Sequence, residues 1–401
     1  MSTTHIPSDR RAGIPLLALA IGAFGIGTTE FGPMGMLPTI AKGVDVTIPT
    51  AGMLVSAYAI GVMIGAPIMT LLLARWPRRK ALMALMSLFV LGNLLSAIAP
   101  NYVSLLGARV VTSLNHGAFF GLGSLVAASL VPREKQASAV AAMFMGLTIA
   151  NIGGVPVATW LGQTLGWRQS FGAISLLGVV AIVALRAALP IGSVGQAPDV
   201  RAELGVLTRP TVLLGIAATI LGAGAMFTTY TYVNPLLENL TRASPVFITA
   251  MLVLIGVGFT IGNALGGKLA DRSVDLALVT LLTLLAASML ALPWLATSSW
   301  GAAIGLTVWG TASFAIVPPL QTWVMRAATS APGLASSVNI GAFNLGNALG
   351  AALGGSVLHA GLGYAVVPLS GAVLALLSLV LVALKMLGVR RRSRAVVEHC
   401  M

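Results

Sequence analysis

Residues 20–38 read AIGAFGIGTTEFGPMGMLP. Apart from Glu30 the run carries no charge, and its flanks from Ile14 to Ile40 extend it past the ~20 residues a helix needs to cross a bilayer. A carboxylate in hydrocarbon costs several kcal/mol and is seldom kept there without a use. The other acidic residues (Asp9, Asp45, Glu134, Asp199, Glu203, Glu238, Asp271, Asp275 and Glu398) fall in tails, loops or span edges. One carboxylate is thus held where ionising it is difficult, which makes Glu30 a natural site for gaining and losing a proton.

The stretch is typical of its surroundings. The chain has 401 residues, of which 57% are hydrophobic and 8% charged, and its mean hydropathy is +0.96. A soluble domain carries about 25% charged residues, so a soluble enzyme core is excluded and an integral membrane protein is indicated. Twelve apolar spans are expected, over 14–40, 50–74, 80–99, 102–130, 138–165, 169–189, 211–238, 245–270, 274–296, 300–327, 333–359 and 364–387. The short alternating segments of a membrane barrel are not visible.

A net charge of +13 raises nucleic acid as a partner, but its distribution argues against it. With the N-terminus inside, Lys42, Arg168 and Arg242 map outside and Arg109 lies within a span. The remaining Lys and Arg map to the cytoplasmic side or its edge. This positive-inside bias sets both termini in the cytoplasm, and the terminal RRRSR run is expected against anionic lipid. The single Cys400 excludes a disulfide framework and a Cys-based metal site. No metal or cofactor is expected.

The chain also repeats itself at an offset of 197 residues. LARWPRRKAL (73–82) lies opposite the LADRSVDLAL region, Pro38 opposite Pro235, Gly153 opposite Gly350, and Gly166-Trp167 opposite Gly363-Tyr364. The sequence therefore predicts an all-α integral membrane fold, with twelve transmembrane helices in two pseudo-symmetric six-helix bundles. These are residues 1–189 and 211–387, joined by a cytoplasmic linker, 190–210, and followed by a basic tail, 388–401. Two such halves form a transporter architecture whose substrate site lies between them near the midplane. Glycines four apart (Gly61 and Gly65; Gly258, Gly262 and Gly266; Gly346, Gly350 and Gly354) predict close helix contacts, sliding or static.

Several side chains could carry chemistry. Glu30 lies sixteen residues past Ile14, about 24 Å along the helix, and Arg109 about 10 Å in from the other side on span 4. The two charges fall at similar depth, which predicts a pair or near-pair; the competing reading is an inert salt bridge. His116 shares a face with Thr112 and Arg109 and is the histidine deep in the bilayer, a candidate proton relay or a packing residue. Glu30, Arg109 and His116 form the candidate proton-coupling set. Phe31, Asn115, Tyr230, Asn234, Trp309, Asn339 and Asn344 form the candidate substrate-binding set, against the alternative of interfacial belts and interhelical hydrogen bonds. Pro33 is expected to distort span 1 just beyond Glu30.

The segments TTEFGPMGMLPTIA (28–41), GARVVTSLNHGAFFGLGS (107–124) and MGLTIANIGGVPVATWLGQTLGWR (145–168) resemble the major facilitator superfamily. More closely they resemble its bacterial drug:proton antiporter family with twelve spans, in the branch of arabinose and sugar efflux permeases and chloramphenicol exporters. The resemblance implies the major facilitator fold, puts Arg109 at the arginine of a span-4 motif linked with proton transfer, and matches Glu30 to the acid of a span-1 TEF motif. It matches Gly153, Gly154 and Pro156 to the antiporter-like motif of span 5. In the loop after span 2, Arg75, Arg78 and Arg79 keep the basic run of the family's gating motif, while Thr70 and Ala74 replace its glycine and acid. The repeat copy keeps Gly267, Asp271 and Arg272 but lacks the basic run.

The resulting expectation is proton-driven export of a small organic molecule from the inner membrane of a bacterium, by a protein that is monomeric by default. Its partners are the substrate, protons and membrane lipid. The competing readings are proton symport into the cell, a membrane enzyme, and a receptor that keeps the fold without transport. Against the enzyme stands the lack of an HExxH motif, paired carboxylates or a Ser/His/Asp arrangement.

Overall fold

The computed structural model describes residues 9–190 and 200–399; Cys400 and residues 191–199 of the expected linker fall outside the described residues, as do the side chains of the RRRSR run. Every regular element in the described residues is helical. The first part of the chain forms α1 (Asp9–Gly43), α2 (Ile48–Leu72), α3 (Arg78–Ile98), α4 (Tyr102–Ser129), α5 (Gln136–Ile149), α6 (Val155–Thr164) and α7 (Trp167–Ala188). A short α8 (Val200–Leu207) precedes α9 (Pro210–Tyr230), α10 (Val233–Leu236), α11 (Pro245–Arg272), α12 (Val274–Leu295), α13 (Ser299–Ala315), α14 (Val317–Ala327), α15 (Pro332–His359) and α16 (Val366–His399).

Eleven of the spans in the described residues are long and apolar enough to cross a membrane. The expected span at 333–359 is the exception. Its helix α15 has the length, at 28 residues, but Ser336, Ser337, Asn339, Asn344 and Asn347 dilute its hydropathy. Proline and polar residues account for the other departures. Pro156 has no N–H for the carbonyl of Ile152, and the helix widens into a π-turn over Ala150–Gly154 between α5 and α6. The expected span at 300–327 is interrupted at Ile316, where Pro318 and Pro319 open α14. The span expected over 211–238 ends as α9 at Tyr230 and resumes only as α10 and a π-turn, Leu237–Thr241. Helix α1, by contrast, runs unbroken through Pro15, Pro33 and Pro38.

The described residues form two compact units. One holds the chain up to Glu203 together with Ser330–Leu345, and the other holds Leu204–Thr329 with the chain from Gly346 onward. The first half of α15 therefore packs with the first unit. In that unit α1 lies against α5, α6 and α7, α2 against α4, and α3 against α4 and α7. In the other, α11 packs on α13, α9 on α16, and α12 on both α13 and α16.

The sequence repeat recurs in the backbone at the same 197-residue offset. Asp45 and Arg242 both take left-handed conformations, with φ of 54° and 53°, and so do Gly166 and Gly363, with φ of 111° and 82°. Thr47 and Ser244 each cap the following helix by accepting a bond from the backbone N–H three residues on, as do Asn101 and Ser298. The glycine stripe of α11 makes backbone contacts. A Cβ on Gly258, Gly262 or Gly266 would lie 2.8, 1.9 or 2.0 Å from the carbonyl oxygens of Thr307, Thr311 and Ala315 on α13, so only glycine lets α11 approach this closely.

Candidate functional site

The buried charge of the molecule gathers in the first unit. Glu30 is 8% exposed, Arg109 is fully buried and His116 is 3% exposed. Packing of α1 on its neighbours fixes where Glu30 stands: a Cβ on Gly146 would meet the carbonyl of Ala20, and one on Gly154 would meet Thr28. The π-turn that contains Gly153 and Gly154 thus abuts the helix that carries Glu30, two turns from the acid or less.

Of the expected pair or near-pair of Glu30 and Arg109, the structure shows the near-pair. Among the described residues no ion pair joins them within 4.0 Å. The guanidinium instead takes the preceding residue of α1: Arg109 Nη1 donates to Thr29 Oγ1 at 3.1 Å and Nη2 donates to the Thr29 carbonyl at 3.0 Å. Thr29 Oγ1 in turn donates to Asn93 Oδ1 at 2.7 Å, and Asn93 Nδ2 donates to the Phe89 carbonyl at 2.9 Å. The guanidinium carbon lies 4.4 Å from the centre of the Tyr58 ring and 5.8 Å from that of Phe171, a desolvated cation–π setting. Arg109 Nε is buried and has no hydrogen-bond partner. The Glu30 carboxyl remains within electrostatic reach of both Arg109 and Tyr58.

Tyr58 ties the charge to the histidine. Its hydroxyl lies 3.2 Å from His116 Nδ1, and the His116 ring continues into Phe120 at 5.2 Å and from there into Phe144 at 4.8 Å. One connected cluster therefore runs from Asn93 on α3 through Thr29, Arg109 and Tyr58 to His116. The sequence reading singled out Arg109 and His116 and missed Thr29, Asn93 and Tyr58. Single threonines, asparagines and tyrosines are common in membrane helices, and nothing in their spacing names a partner on another helix. The available signal was Asn93 itself, a buried amide in an otherwise apolar span.

The expected substrate-binding residues divide. Phe31 is buried on α1, and Asn115 is buried on α4, with its amide donating to the Thr112 carbonyl and its Oδ1 lacking a partner. Asn339 and Asn344 are buried on the first half of α15, where Asn344 Nδ2 donates to Ile340 O at 3.1 Å and Asn344 Oδ1 lacks a partner. In the second unit Tyr230 stacks on the fully buried Trp309 at 6.4 Å, and Phe259 contacts both, at 5.6 and 6.2 Å. Asn234 does not join them. It is exposed in α10, beyond the end of α9, so the i, i+4 pairing with Tyr230 is lost with the helix.

Of the candidate gating residues, Pro33 lies inside α1, Gly153 and Gly154 lie in the π-turn with Pro156 just after it, and those of the two loop motifs lie at or near helix ends. Arg75 and Arg78 are exposed, whereas Arg79 Nη1 donates to the Leu189 carbonyl at 3.1 Å and pins the start of α3 to the end of α7. Gly267 is buried in α11, whose last turn carries Asp271 and Arg272. Nearby on α12, Asp275 pairs with Lys385, whose ammonium also lies 4.9 Å from the Trp323 ring centre.

Residues 19–339 match the family model described as the Major Facilitator Superfamily. The chain is 67% identical over 368 residues to the inner membrane transport protein YdhP of Escherichia coli, covering 92% of this chain and 95% of that protein. It is 34% identical over 341 residues to a chloramphenicol resistance protein of Streptomyces lividans, covering 84% and 87%. Among solved structures it is similar to the E. coli fucose:proton symporter FucP. That match has a TM-score of 0.72 at 16% identity and covers 92% of this chain and 98% of that one, a likeness of fold alone.

Proposed function

Since the chain belongs to the Major Facilitator Superfamily, a family of transporters rather than enzymes, we propose that it exports a small organic molecule from the bacterial cytoplasm in exchange for protons. The observation that carries this reading is the buried cluster around Glu30. It has one acid with no ion-pair partner within 4.0 Å, a fixed cation beside it, and a tyrosine–histidine connection leading away. A carboxyl in that position changes charge at the cost of a local rearrangement, which is what coupling requires. The reading is supported by relatives named for inner-membrane transport and for chloramphenicol resistance.

In this reading α15 is the eleventh of twelve crossings, and the repeat builds two six-helix bundles that expose one site to each side in turn. Both termini lie in the cytoplasm and the protein acts as a monomer. Arg109 and His116 serve the proton, with Glu30 as the group that carries it. Phe31, Asn115, Tyr230, Trp309, Asn339 and Asn344 contact the substrate. Asn234, exposed beyond the end of α9, is a further candidate for substrate contact.

The test is reconstitution of the purified chain into liposomes with an imposed proton gradient, screened across phenicols, sugars, nucleosides and cationic drugs. The expected result is substrate movement opposite to the proton flow that stops when the gradient is collapsed. Movement in the same direction as protons would replace export with symport. Gradient-independent binding without movement would replace it with a receptor.

A further inference from the structure

In an α-helix the N–H of residue 33 donates to the carbonyl of residue 29. Position 33 is a proline, which has no N–H, and its ring also crowds the carbonyl four residues back. Helix α1 nevertheless runs unbroken through Pro33, with Thr29, Glu30 and Pro33 all buried. Leaving a carbonyl open at that depth is costly, because no water replaces the lost donor. The Thr29 carbonyl is the one that Arg109 Nη2 reaches at 3.0 Å.

We propose that Arg109 is a positioning residue: it supplies the hydrogen bond that Pro33 withholds from Thr29, and Glu30, once ionised, takes that donor away and loosens α1 at the proline. The competition is local because Glu30 follows Thr29 directly. It favours the carboxylate, which adds Coulomb attraction that a neutral carbonyl lacks and can accept from the guanidinium in bidentate fashion. The guanidinium also has an edge to offer, because Arg109 Nε is buried with no partner. Of the other titratable groups, Tyr58 on α2 is within electrostatic reach of Glu30 and His116 on α4 meets the Tyr58 hydroxyl at 3.2 Å, and among the described residues α3, α5, α6 and α7 bury no charged side chain. Asn93 keeps the Thr29 hydroxyl engaged in either state, so the Thr29 carbonyl is the contact free to change. The link between this exchange and transport rests on the proton-coupled reading above.

The test needs no substrate, so it can fail without touching the transport assignment. The full chain is purified in detergent as wild type, Pro33→Ala, Arg109→Met and the double variant, and thermal unfolding is followed. Pro33→Ala restores the missing N–H, so the drop in unfolding temperature caused by Arg109→Met is expected to shrink by about half or more in that background, a coupling that independent sites do not show. Equal drops in both backgrounds would overturn the proposal. If Arg109→Met alone yields no folded protein, Pro33→Ala is expected to restore it, and failure to do so counts equally against the proposal. Hydrogen exchange across residues 29–37, corrected for intrinsic rates, then tests the exchange of partners. Protection is expected to fall as pH rises in the wild type and to stay flat in Glu30→Gln and in Pro33→Ala. The same pH profile in all three would overturn the role assigned to Glu30.

Discussion

The two copies of the repeat share a backbone plan, yet the positions that hold the polar cluster in the first are apolar or weakly polar in the second. At the 197-residue offset Glu30 corresponds to Phe227, Tyr58 to Ile255, Asn93 to Leu290, Arg109 to Leu306 and His116 to Ser313. The first unit buries two charged side chains and a histidine, while among the described residues the second buries no charged side chain and instead gathers Tyr230, Phe259, Trp309 and Phe314. Caps, left-handed turns and glycine contacts have stayed in register. The backbone thus tolerates either interior, and in the proposed reading the proton chemistry falls to the first copy.

The largest expected effect comes from placing the acid in the wrong copy. Phe227→Glu puts a carboxyl on a buried position of α9 with no arginine at the matching site of α13. An uncompensated buried charge costs about 3–5 kcal/mol, so the expected outcome is a marked fall in unfolding temperature and yield. A variant as stable as the wild type would break the distinction between the units.

Gly262→Ala should come next. Its Cβ would sit 1.9 Å from the Thr311 carbonyl oxygen, with the Thr311 carbonyl carbon and Cα behind it, backbone atoms that cannot turn away. Overpacking of this kind costs about 1–3 kcal/mol. Gly153→Ala, where nothing lies within 4 Å of the added carbon, is the control expected to keep near-wild-type stability in the same thermal assay.

Tyr58→Phe is the mildest and the most specific. It keeps the ring over Arg109 and removes the hydroxyl that meets His116, a loss of about 1 kcal/mol. Stability should barely change, while the pH dependence of transport should shift. Trp309→Phe is its counterpart in the second unit and is expected to change substrate affinity while leaving that pH dependence in place. Shifts of the same kind from both variants would mean that the two interiors do not divide the work.

Much of this division could be read along the chain. The lone deep acid, the arginine at similar depth and the repeat all follow from one-dimensional facts, because span length and charge position are fixed by the bilayer. The contacts within the cluster were less legible. Depth counting brings Glu30 and Arg109 level but gives no rotation about the helix axes, and the guanidinium reaches Thr29 rather than its acidic neighbour. Asn234 was misplaced for a related reason, since counting i, i+4 from Tyr230 assumes a helix that ends at that residue. The polarity of α15 was visible in its asparagines, but its pairing with the first unit depends on tertiary packing.

Glu30→Gln in energised vesicles is the most direct test of the central claim. It removes the titration and keeps the size and polarity of the side chain. The account predicts that the variant still binds substrate and exchanges it between equal pools but no longer moves it against a gradient when protons flow. Wild-type uphill transport by Glu30→Gln would contradict the account.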